Sequence, residues 1–268
     1  MKILAISDPH YPACVENLPS LEEAIRKEKP DAFVIAGDIS RFDDKLYDEF
    51  LSRFKQFDMT KVAIAGNTDL YTEKESSLER HARLGQLLRA NGFHYLDESP
   101  IIIDGVGFVG GVGWFDYSLA HKDSKSEQMV PIRGTRKRVK DFTTEDYDAW
   151  DDTRFLKWNH TNGSFLEYCL QKLKKDLANV KDDKKIVAVI HYLPFENMVP
   201  REELNTSFAV NNAYTGSKKL GEPLLADPRV KVLISGHTHV PGYWKNGHID
   251  CYNVSARYGD LHPTIIRV

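Results

Sequence analysis

Five short stretches of the chain are apolar at consecutive positions and rich in valine, isoleucine and alanine. They occupy residues 3–6, 32–36, 62–65, 186–190 and 230–234. A strand with one face in water alternates apolar and polar residues, whereas a strand buried on both faces is apolar throughout. The pattern therefore predicts five central strands.

The segments between these stretches carry apolar residues at helical spacing. Two of them repeat every three or four positions: Leu46, Phe50, Phe54 and Phe57 in one, and Leu166, Leu170, Leu173 and Leu177 in the other. Ser20 and Glu23 have the spacing of a capping box, which predicts the start of an earlier helix, and Pro30 would end it. Strands that alternate with helices predict an α/β sandwich.

Two dipeptides, Asp104-Gly105 and Asn246-Gly247, predict hairpin turns between β-rich stretches. Residues 114–163 contain few apolar runs and many charges, so we predict that they form a cap-like insertion over one edge of the sandwich. The chain of 268 residues suits one large domain, and we expect residues 1–268 to form a single domain that contains the insertion.

Composition narrows the possible partners and the location. A net charge of -3 gives no global field, so we expect neither stable nucleic-acid binding nor a membrane partner. The 3 cysteines are far apart and odd in number, which argues against a disulfide framework and favours a reducing compartment. With no signal-peptide core after Met1 and no apolar stretch near the roughly 20 residues of a membrane span, we expect a cytoplasmic protein. Nothing in the sequence predicts an oligomeric state.

Each of the five apolar stretches ends in residue types that bind metals. The seven candidates are Asp8, His10, Asp38, Asn67, His191, His237 and His239. In open α/β sheets, ligands bind outside the carboxyl ends of the strands, so five such ends lying side by side would bring these side chains together. Carboxylate, amide and imidazole ligands suit Mn, Fe, Zn, Ni or Co, and they argue against a sulfur site or a calcium site.

Seven side chains are more than one tetrahedral ion needs. Two divalent ions about 3.5–4 Å apart that share one carboxylate would use such a set, so we predict two divalent metal ions as cofactors. For His191 alone, a buried core histidine would be the simpler interpretation. Its position directly after a buried strand favours a metal ligand instead.

The ordered motifs DxH, GD, GN, H and GHxH resemble those of the calcineurin-like metallophosphoesterases, and the resemblance spans Asp8 to His239. It implies a four-layer α/β/β/α sandwich, in which helices flank two β-sheets. It also implies the ligand groups: Asp8, His10 and His239 on the first metal, Asn67, His191 and His237 on the second, and Asp38 bridging both. The implied activity is that of a metal-dependent hydrolase of phosphoric ester bonds, with manganese or iron favoured.

The expected mechanism follows from two adjacent cations. They lower the pKa of a bridging water toward neutrality and so supply hydroxide. This nucleophile attacks phosphorus in line while the metals stabilise charge on the phosphoryl oxygens. The expected substrate is a small phosphoester, for which a nucleotide is one candidate.

Thr68 departs from the family pattern. Many relatives have a histidine after the asparagine, held by the following acid, that protonates the leaving oxygen or steadies the phosphate. Here Asp69 is retained and the histidine is absent. A threonine hydroxyl donates a hydrogen bond but is a poor proton source near pH 7. We therefore predict that phosphodiesters and aryl phosphates, whose leaving groups are acidic, are hydrolysed better than alkyl monoesters.

Several alternatives stay open. Asp69 either supports the site or only shapes its turn, and His160, beside Trp158 at the end of the insertion, is our candidate for the missing acid. The chain could be a phosphomonoesterase, or a non-catalytic scaffold with the same fold. Scaffold relatives typically lose ligands, whereas all seven candidates are present here.

The insertion has two interpretations. Its charged residues either pair with one another at the surface or form a basic arm that contacts substrate phosphate. Its aromatic residues either form a small core of the insertion, which we favour, or stack on a base or aryl group. These aromatic residues are Trp114, Phe115, Tyr117, Trp150 and Trp158.

Overall fold

Two stacked β-sheets with helices on their outer faces form the body of the protein. The computed structural model describes residues 1–120, 129–132, 135–138, 151–181, 184–201, 212–257 and 259–268. In chain order its strands are β1 Lys2–Ile6, β2 Ala32–Ile35, β3 Thr60–Ala63, β4 Phe93–Tyr95, β5 Ile101–Ile103, β6 Val106–Gly111, β7 Met129–Ile132, β8 Thr135–Arg138, β9 Lys185–Ile190, β10 Val230–Ser235, β11 Gly242–Asn246, β12 Ile249–Asn253 and β13 Thr264–Arg267. Its α-helices are α1 Leu18–Glu28, α2 Asp44–Ser52, α3 Ser77–Ala90, α4 Asp151–Phe155, α5 Asn162–Asn179 and α6 Gly221–Ala226.

The five predicted central strands are β1, β2, β3, β9 and β10, each within two residues of its predicted bounds. The first sheet has the order β13-β1-β2-β3-β4, and β1 to β4 run parallel. The second has the order β11-β12-β10-β9-β6-β5, with a parallel centre and an antiparallel strand at each edge. The expectation of five strand ends side by side was therefore wrong: three belong to one sheet and two to the other. An apolar run shows that a strand is buried but does not show which sheet it joins.

Successive residues of the central strands face different layers. Ile3 of β1 belongs to the cluster between the two sheets, together with Val187 of β9. The next residue, Leu4, belongs to the outer cluster, where Phe33 of β2 meets Phe54 with ring centroids 4.9 Å apart. Helices thus cover the outer faces of both sheets, and the predicted four-layer α/β/β/α sandwich is confirmed.

Local predictions had mixed outcomes. Both hairpins are confirmed, since β5 pairs antiparallel with β6 and β11 with β12. The capping box at Ser20 was wrong, because α1 begins at Leu18 and Ser20 lies inside the helix. Pro19 explains the shift: proline is favoured in the first turn, where its missing N–H has no helical partner. Within the described ranges, no helix has both the length and the apolar character to span a bilayer.

The first residues of the predicted insertion belong to the main core. Trp114 and Phe115 are fully buried. The ring centroid of Trp114 lies 5.0 Å from those of Phe165 on α5 and Tyr192 after β9. The interpretation that Trp114 and Phe115 form a separate core of the insertion was therefore wrong. Trp150 lies outside the described residues, as do the side chains of the basic positions 133, 136, 137 and 140. A single domain with a cap over residues 114–163 stays a prediction.

Candidate metal centre

The seven candidate ligands lie at one end of the sandwich, where central strands of both sheets terminate. Asp8 and His10 follow β1, Asp38 follows β2, Asn67 follows β3, His191 follows β9, and His237 and His239 follow β10. Backbone hydrogen bonds connect the two sheets here: the Ser7 N–H donates to the carbonyl oxygen of Val254, directly after β12 of the other sheet, at 3.1 Å. The two sheets thus place one shared cluster of polar side chains between their strand ends.

Asp8, His10 and His239 form one half of the cluster. The Nε2 atoms of the two histidines are 3.2 Å apart, and one oxygen of Asp8 lies 3.9 Å from Nε2 of His239. The ligand atoms of all three side chains lie within 4.8 Å of one another. His239 donates from Nδ1 to the Ala256 carbonyl at 2.8 Å, so its Nε2 keeps the lone pair that a metal requires.

Asn67, His191 and His237 form the other half. Oδ1 of Asn67 lies 3.2 Å from Nε2 of His191 and 3.2 Å from Nδ1 of His237. The second ring nitrogen of each histidine donates to a backbone carbonyl: His191 to Ala36 at 2.7 Å, and His237 to Tyr214 at 3.0 Å. These bonds occupy Nδ1 of His191 and Nε2 of His237, so the other nitrogen of each ring, which faces the amide oxygen, is the one left to bind a metal.

Asp38 lies between the two halves. Its Oδ2 is 3.6 Å from Nε2 of His10, and its Oδ1 is 3.6 Å from Nε2 of His191. The Thr68 N–H donates to Oδ1 at 2.9 Å and holds the carboxylate in this orientation. Each oxygen of Asp38 is thus directed at a different half of the cluster, a position from which one carboxylate could contact two ions.

The loops that carry the ligands are conformationally strained. Five of the seven candidates have positive φ: Asp8 at 57°, His10 at 42°, Asp38 at 56°, His237 at 74° and His239 at 56°. A residue with a Cβ pays about 1–2 kcal/mol in this region, and such strain clusters at functional sites. The repeated left-handed turns direct side chains from separate loops at one point.

Gly37 makes the approach of the two sheets possible. It has a φ of 94°, and a Cβ there would lie 2.8 Å from Nδ1 of His191 and 2.6 Å from the nitrogen of Gly66. Only glycine fits both the backbone conformation and the space, so this residue lets Asp38 and His191 lie side by side.

The charge states of the cluster are interdependent. Burial disfavours an imidazolium at His191, but the Asp38 carboxylate outweighs burial and raises the pKa of His191 to about 9. Burial, with His191 close by, lowers the pKa of His237 to about 4. Burial opposes ionisation of Asp38, yet His191 and His10 outweigh it and hold the pKa of Asp38 well below its usual range. Without a bound metal, His191 is therefore protonated at neutral pH.

Metal binding at pH 7 is expected to release at least one proton per chain. A ligating imidazole must be neutral, and His191, with a pKa of about 9, carries a proton at pH 7 that binding displaces. Metal affinity should therefore rise with pH up to about that pKa. Calorimetric titration of the metal-free protein with Mn²⁺, in buffers of different ionisation enthalpy, counts the protons. Binding at pH 7 without proton release would contradict this expectation.

Asp69 and Thr68 follow Asn67 and hydrogen-bond the loop that carries Asp38. Asp69 is fully buried, and its carboxylate accepts hydrogen bonds from the N–H groups of Ile39 at 2.8 Å, Ser40 at 3.0 Å and Gly66 at 2.8 Å. It thereby joins the loop of Asp38 to the loop of Asn67. Burial and the Asp38 charge raise the pKa of Asp69 to about 7, against the effect of the N–H donors. The Thr68 hydroxyl is buried and has no hydrogen-bond partner among the described residues.

The structure does not bring His160 together with the seven ligands. Its Nδ1 lies 3.3 Å from the Ser164 hydroxyl, and its ring neighbours are Trp158, before α5, and Phe165 and Tyr168 in the first turns of α5. The prediction that His160 protonates the leaving group gains no support from these contacts.

Two residues near the cluster were missed from the sequence. Asp152 of α4 and Tyr71 both hydrogen-bond the side-chain amide of Asn67. Asp152 stands in an acidic run that suggests a solvated surface, and Tyr71 has no motif of its own. The Asp152 contact joins positions 85 residues apart, which no local pattern encodes. Tyr71 lies only 4 residues from Asn67, but a lone tyrosine after a turn carries no signal of this contact.

The fold and the ligand geometry together define a metal-dependent phosphoesterase. The family model of the calcineurin-like phosphoesterases matches residues 1–241, so the chain belongs to the calcineurin-like phosphoesterase family. Members of this family typically use a dinuclear metal centre. No curated protein matches the chain in sequence.

Three solved structures illustrate the shared fold. Phosphopantetheinyl hydrolase from Mycobacterium tuberculosis is 16% identical, with a TM-score of 0.73 over 96% of this chain and 90% of that one. A dimetal phosphatase from Danio rerio is 15% identical, with a TM-score of 0.58 over 97% and 88%. GAP50, the anchor in the inner membrane complex of Plasmodium, is 13% identical, with a TM-score of 0.50 over 95% and 71%. At these sequence identities the similarity shows a common fold, and not a common substrate or role.

Proposed function

We propose that the protein is a dinuclear-metal-dependent phosphodiesterase. The observation that carries the proposal is Asp38, which directs one oxygen at His10 and the other at His191, each at 3.6 Å. Asp8, His10 and His239 would hold the first ion, and Asn67, His191 and His237 the second, with Asp38 shared between them.

The donor set fits two divalent ions. Carboxylate, amide and imidazole donors suit Mn, Fe, Zn, Ni or Co, and we favour manganese or iron. Two ions bound there would supply a nucleophile near neutral pH and would stabilise charge on the phosphoryl oxygens. The chain itself fixes the ligand atoms, through the backbone carbonyls that hold the rings of His191, His237 and His239.

Protonation of the leaving group is poorly supported by the residue at the position that the family pattern reserves for this role. Thr68 occupies the position after Asn67, and a hydroxyl in this place can donate a hydrogen bond but transfers a proton poorly near pH 7. The leaving oxygen must then depart largely as an anion. This supports diesters and aryl esters, whose leaving groups have low pKa values, as the preferred substrates.

An open groove beside the first half of the cluster offers room for the organic part of a substrate. It has a volume of about 570 Å³ and is bordered by His10, His239, Leu46 and Arg41. The exposed guanidinium of Arg41 lies over the Tyr71 ring, 5.5 Å from its centroid. A cation at the rim favours a phosphate anion, and an apolar wall favours an aryl or nucleoside group. A nucleotide is therefore among the small phosphoesters that we propose.

Two alternatives remain to be separated by experiment. The first is a phosphomonoesterase and the second is a non-catalytic scaffold. The fold is shared by a dimetal phosphatase from Danio rerio and by the anchor GAP50. The presence of all seven candidate ligands, five of them in strained conformations, disfavours the scaffold. We also propose a cytoplasmic location, which the three free, buried cysteines support.

Mn²⁺-reconstituted protein is expected to hydrolyse a bis-aryl phosphodiester with at least about tenfold higher kcat/KM than an alkyl phosphate monoester. A missing general acid costs about 10²–10⁴-fold in rate for a poor leaving group and little for a good one. The measurement compares the two substrates under the same conditions, with cyclic and linear nucleotide diesters and a phosphopantetheinyl conjugate as further probes. Equal or faster hydrolysis of the alkyl monoester would favour the phosphomonoesterase.

A further inference from the structure

Asp152, in the short helix α4, contacts a candidate metal ligand from within the predicted insertion. Its Oδ1 accepts a hydrogen bond from Nδ2 of Asn67 at 2.9 Å and another from the Tyr71 hydroxyl at 2.7 Å. Nδ2 of Asn67 also donates to the Tyr71 oxygen, at 3.1 Å. Asp152 is only 2% exposed, so this triangle of bonds is shielded from water.

The triangle determines which end of the Asn67 amide faces the histidines. An amide has one end that can bind a cation, the oxygen, and one end that cannot, the NH₂ group. With both acceptors on the NH₂ side, Oδ1 faces His191 and His237 at 3.2 Å. Rotating the amide by half a turn would place its oxygen against the oxygens of Asp152 and Tyr71, a buried acceptor-to-acceptor contact.

The Tyr71 hydroxyl acts as both a hydrogen-bond donor and an acceptor in this network, because it keeps its proton. Burial, followed by the effect of Asp152, raises the pKa of Tyr71 far above its usual value. The hydroxyl therefore donates its one hydrogen to Asp152 and accepts from Asn67 through a lone pair. All the donors within the triangle are matched with acceptors.

Helix α4 is firmly attached at this place. The ring of Phe155 lies 5.4 Å from that of Tyr71 and 5.0 Å from that of Phe42, measured between centroids. The Thr72 N–H donates to the Phe155 carbonyl at 3.0 Å. Backbone and ring contacts thus hold Asp152 against the loop of Asn67.

We propose that Asp152 is a positioning residue that orients the Asn67 amide for metal binding. The segment that carries α4 is then part of the metal centre and not only a cover over it. This inference rests on the proposed function, because it takes Asn67 as a ligand of the second ion. The affinity for the second ion, but not for the first, would then depend on the insertion.

The test measures the affinity of each of the two ions in three variants. Asp152→Ala removes the acceptor, and the expected result is a second ion that binds about 10–100-fold more weakly, the usual cost of losing a partner of a metal ligand. The first ion should keep its affinity. Asp152→Asn retains an acceptor oxygen and should bind the second ion within about threefold of the unsubstituted protein. Asp176→Ala removes another buried carboxylate, which pairs with Lys172 on α5, and should leave both affinities unchanged.

The outcomes separate this inference from the proposed function. If the unsubstituted protein binds fewer than two ions, the dinuclear proposal fails. If it binds two and Asp152→Ala binds both with unchanged affinity, or loses both equally, the positioning role is refuted. Should Asp152→Ala not fold, Asp152→Leu takes its place, because it fills the space of the carboxylate and likewise removes the acceptor of Asn67. An unaltered second affinity in that variant would likewise overturn the inference.

Discussion

Replacing Asp38 with asparagine is expected to lower metal-dependent phosphodiester hydrolysis at least about 1,000-fold in kcat/KM, equivalent to about 4 kcal/mol of transition-state stabilisation. Asp38 directs one oxygen to each half of the cluster, at 3.6 Å from His10 and from His191. An amide keeps one oxygen and turns an NH₂ group toward the other half, where it would repel a cation. The same change removes a negative charge from a site for two divalent ions.

The measurement is kcat/KM for the bis-aryl diester with Mn²⁺, together with the metal content of the variant. Asp43→Asn is a matched control, since Asp43 is exposed and caps helix α2, a role that asparagine fills equally well. It should leave activity unchanged. An Asp38→Asn protein that keeps more than about a tenth of the activity would contradict a bridging role.

Replacing Asp69 with alanine is expected to lower the free energy of unfolding by about 3–5 kcal/mol. The substitution leaves the N–H groups of Ile39, Ser40 and Gly66 without their acceptor in a region closed to water. Each unpaired buried donor costs about 1–3 kcal/mol. Loss of the carboxylate also separates the loop of Asp38 from that of Asn67, so metal binding should weaken too.

Urea unfolding of the metal-free protein measures this effect, since no bound ion then contributes to stability. Asp58→Ala provides the control, because Asp58 is exposed and a surface change of this kind alters stability by about 0.5 kcal/mol or less. A loss below about 1 kcal/mol for Asp69→Ala would show that the three N–H groups find other partners.

The sequence was most informative where chemistry and local structure coincide. The apolar runs locate β1 and β9, and Asp8 and His191 lie within two residues of the ends of those strands, so the strand pattern and the residue types point to the same end of the sandwich. A metal ligand needs a particular donor atom, which restricts the residue type. For this reason the seven candidates could be named before their geometry was known.

Sequence patterns were less informative about packing partners. The run that forms β9 looks like the run that forms β2, although the two strands belong to different sheets. Trp114 lies in a charged, irregular segment, and only the structure shows that its ring packs against Phe165 and Tyr192. Burial of such residues depends on contacts between distant parts of the chain, which a local pattern does not encode.

Asp152 and Thr68 mark the limits of motif-based inference. Asp152 has no recognisable spacing from Asn67, and its role depends on how the α4 segment returns to the sheet. Thr68 could be identified from the sequence as a departure from the family pattern, whereas the burial of its hydroxyl without a hydrogen-bond partner among the described residues is visible only in the structure.

The most direct measurement is diester turnover as a function of Mn²⁺ bound per chain, starting from the metal-free protein. A centre with Asp38 between two ligand groups should reach full activity only when about two ions are bound. Removal of the metal with a chelator should abolish turnover, and Mn²⁺ should restore it. Full activity at one ion per chain, or no turnover at saturating Mn²⁺, would contradict a dinuclear phosphodiesterase.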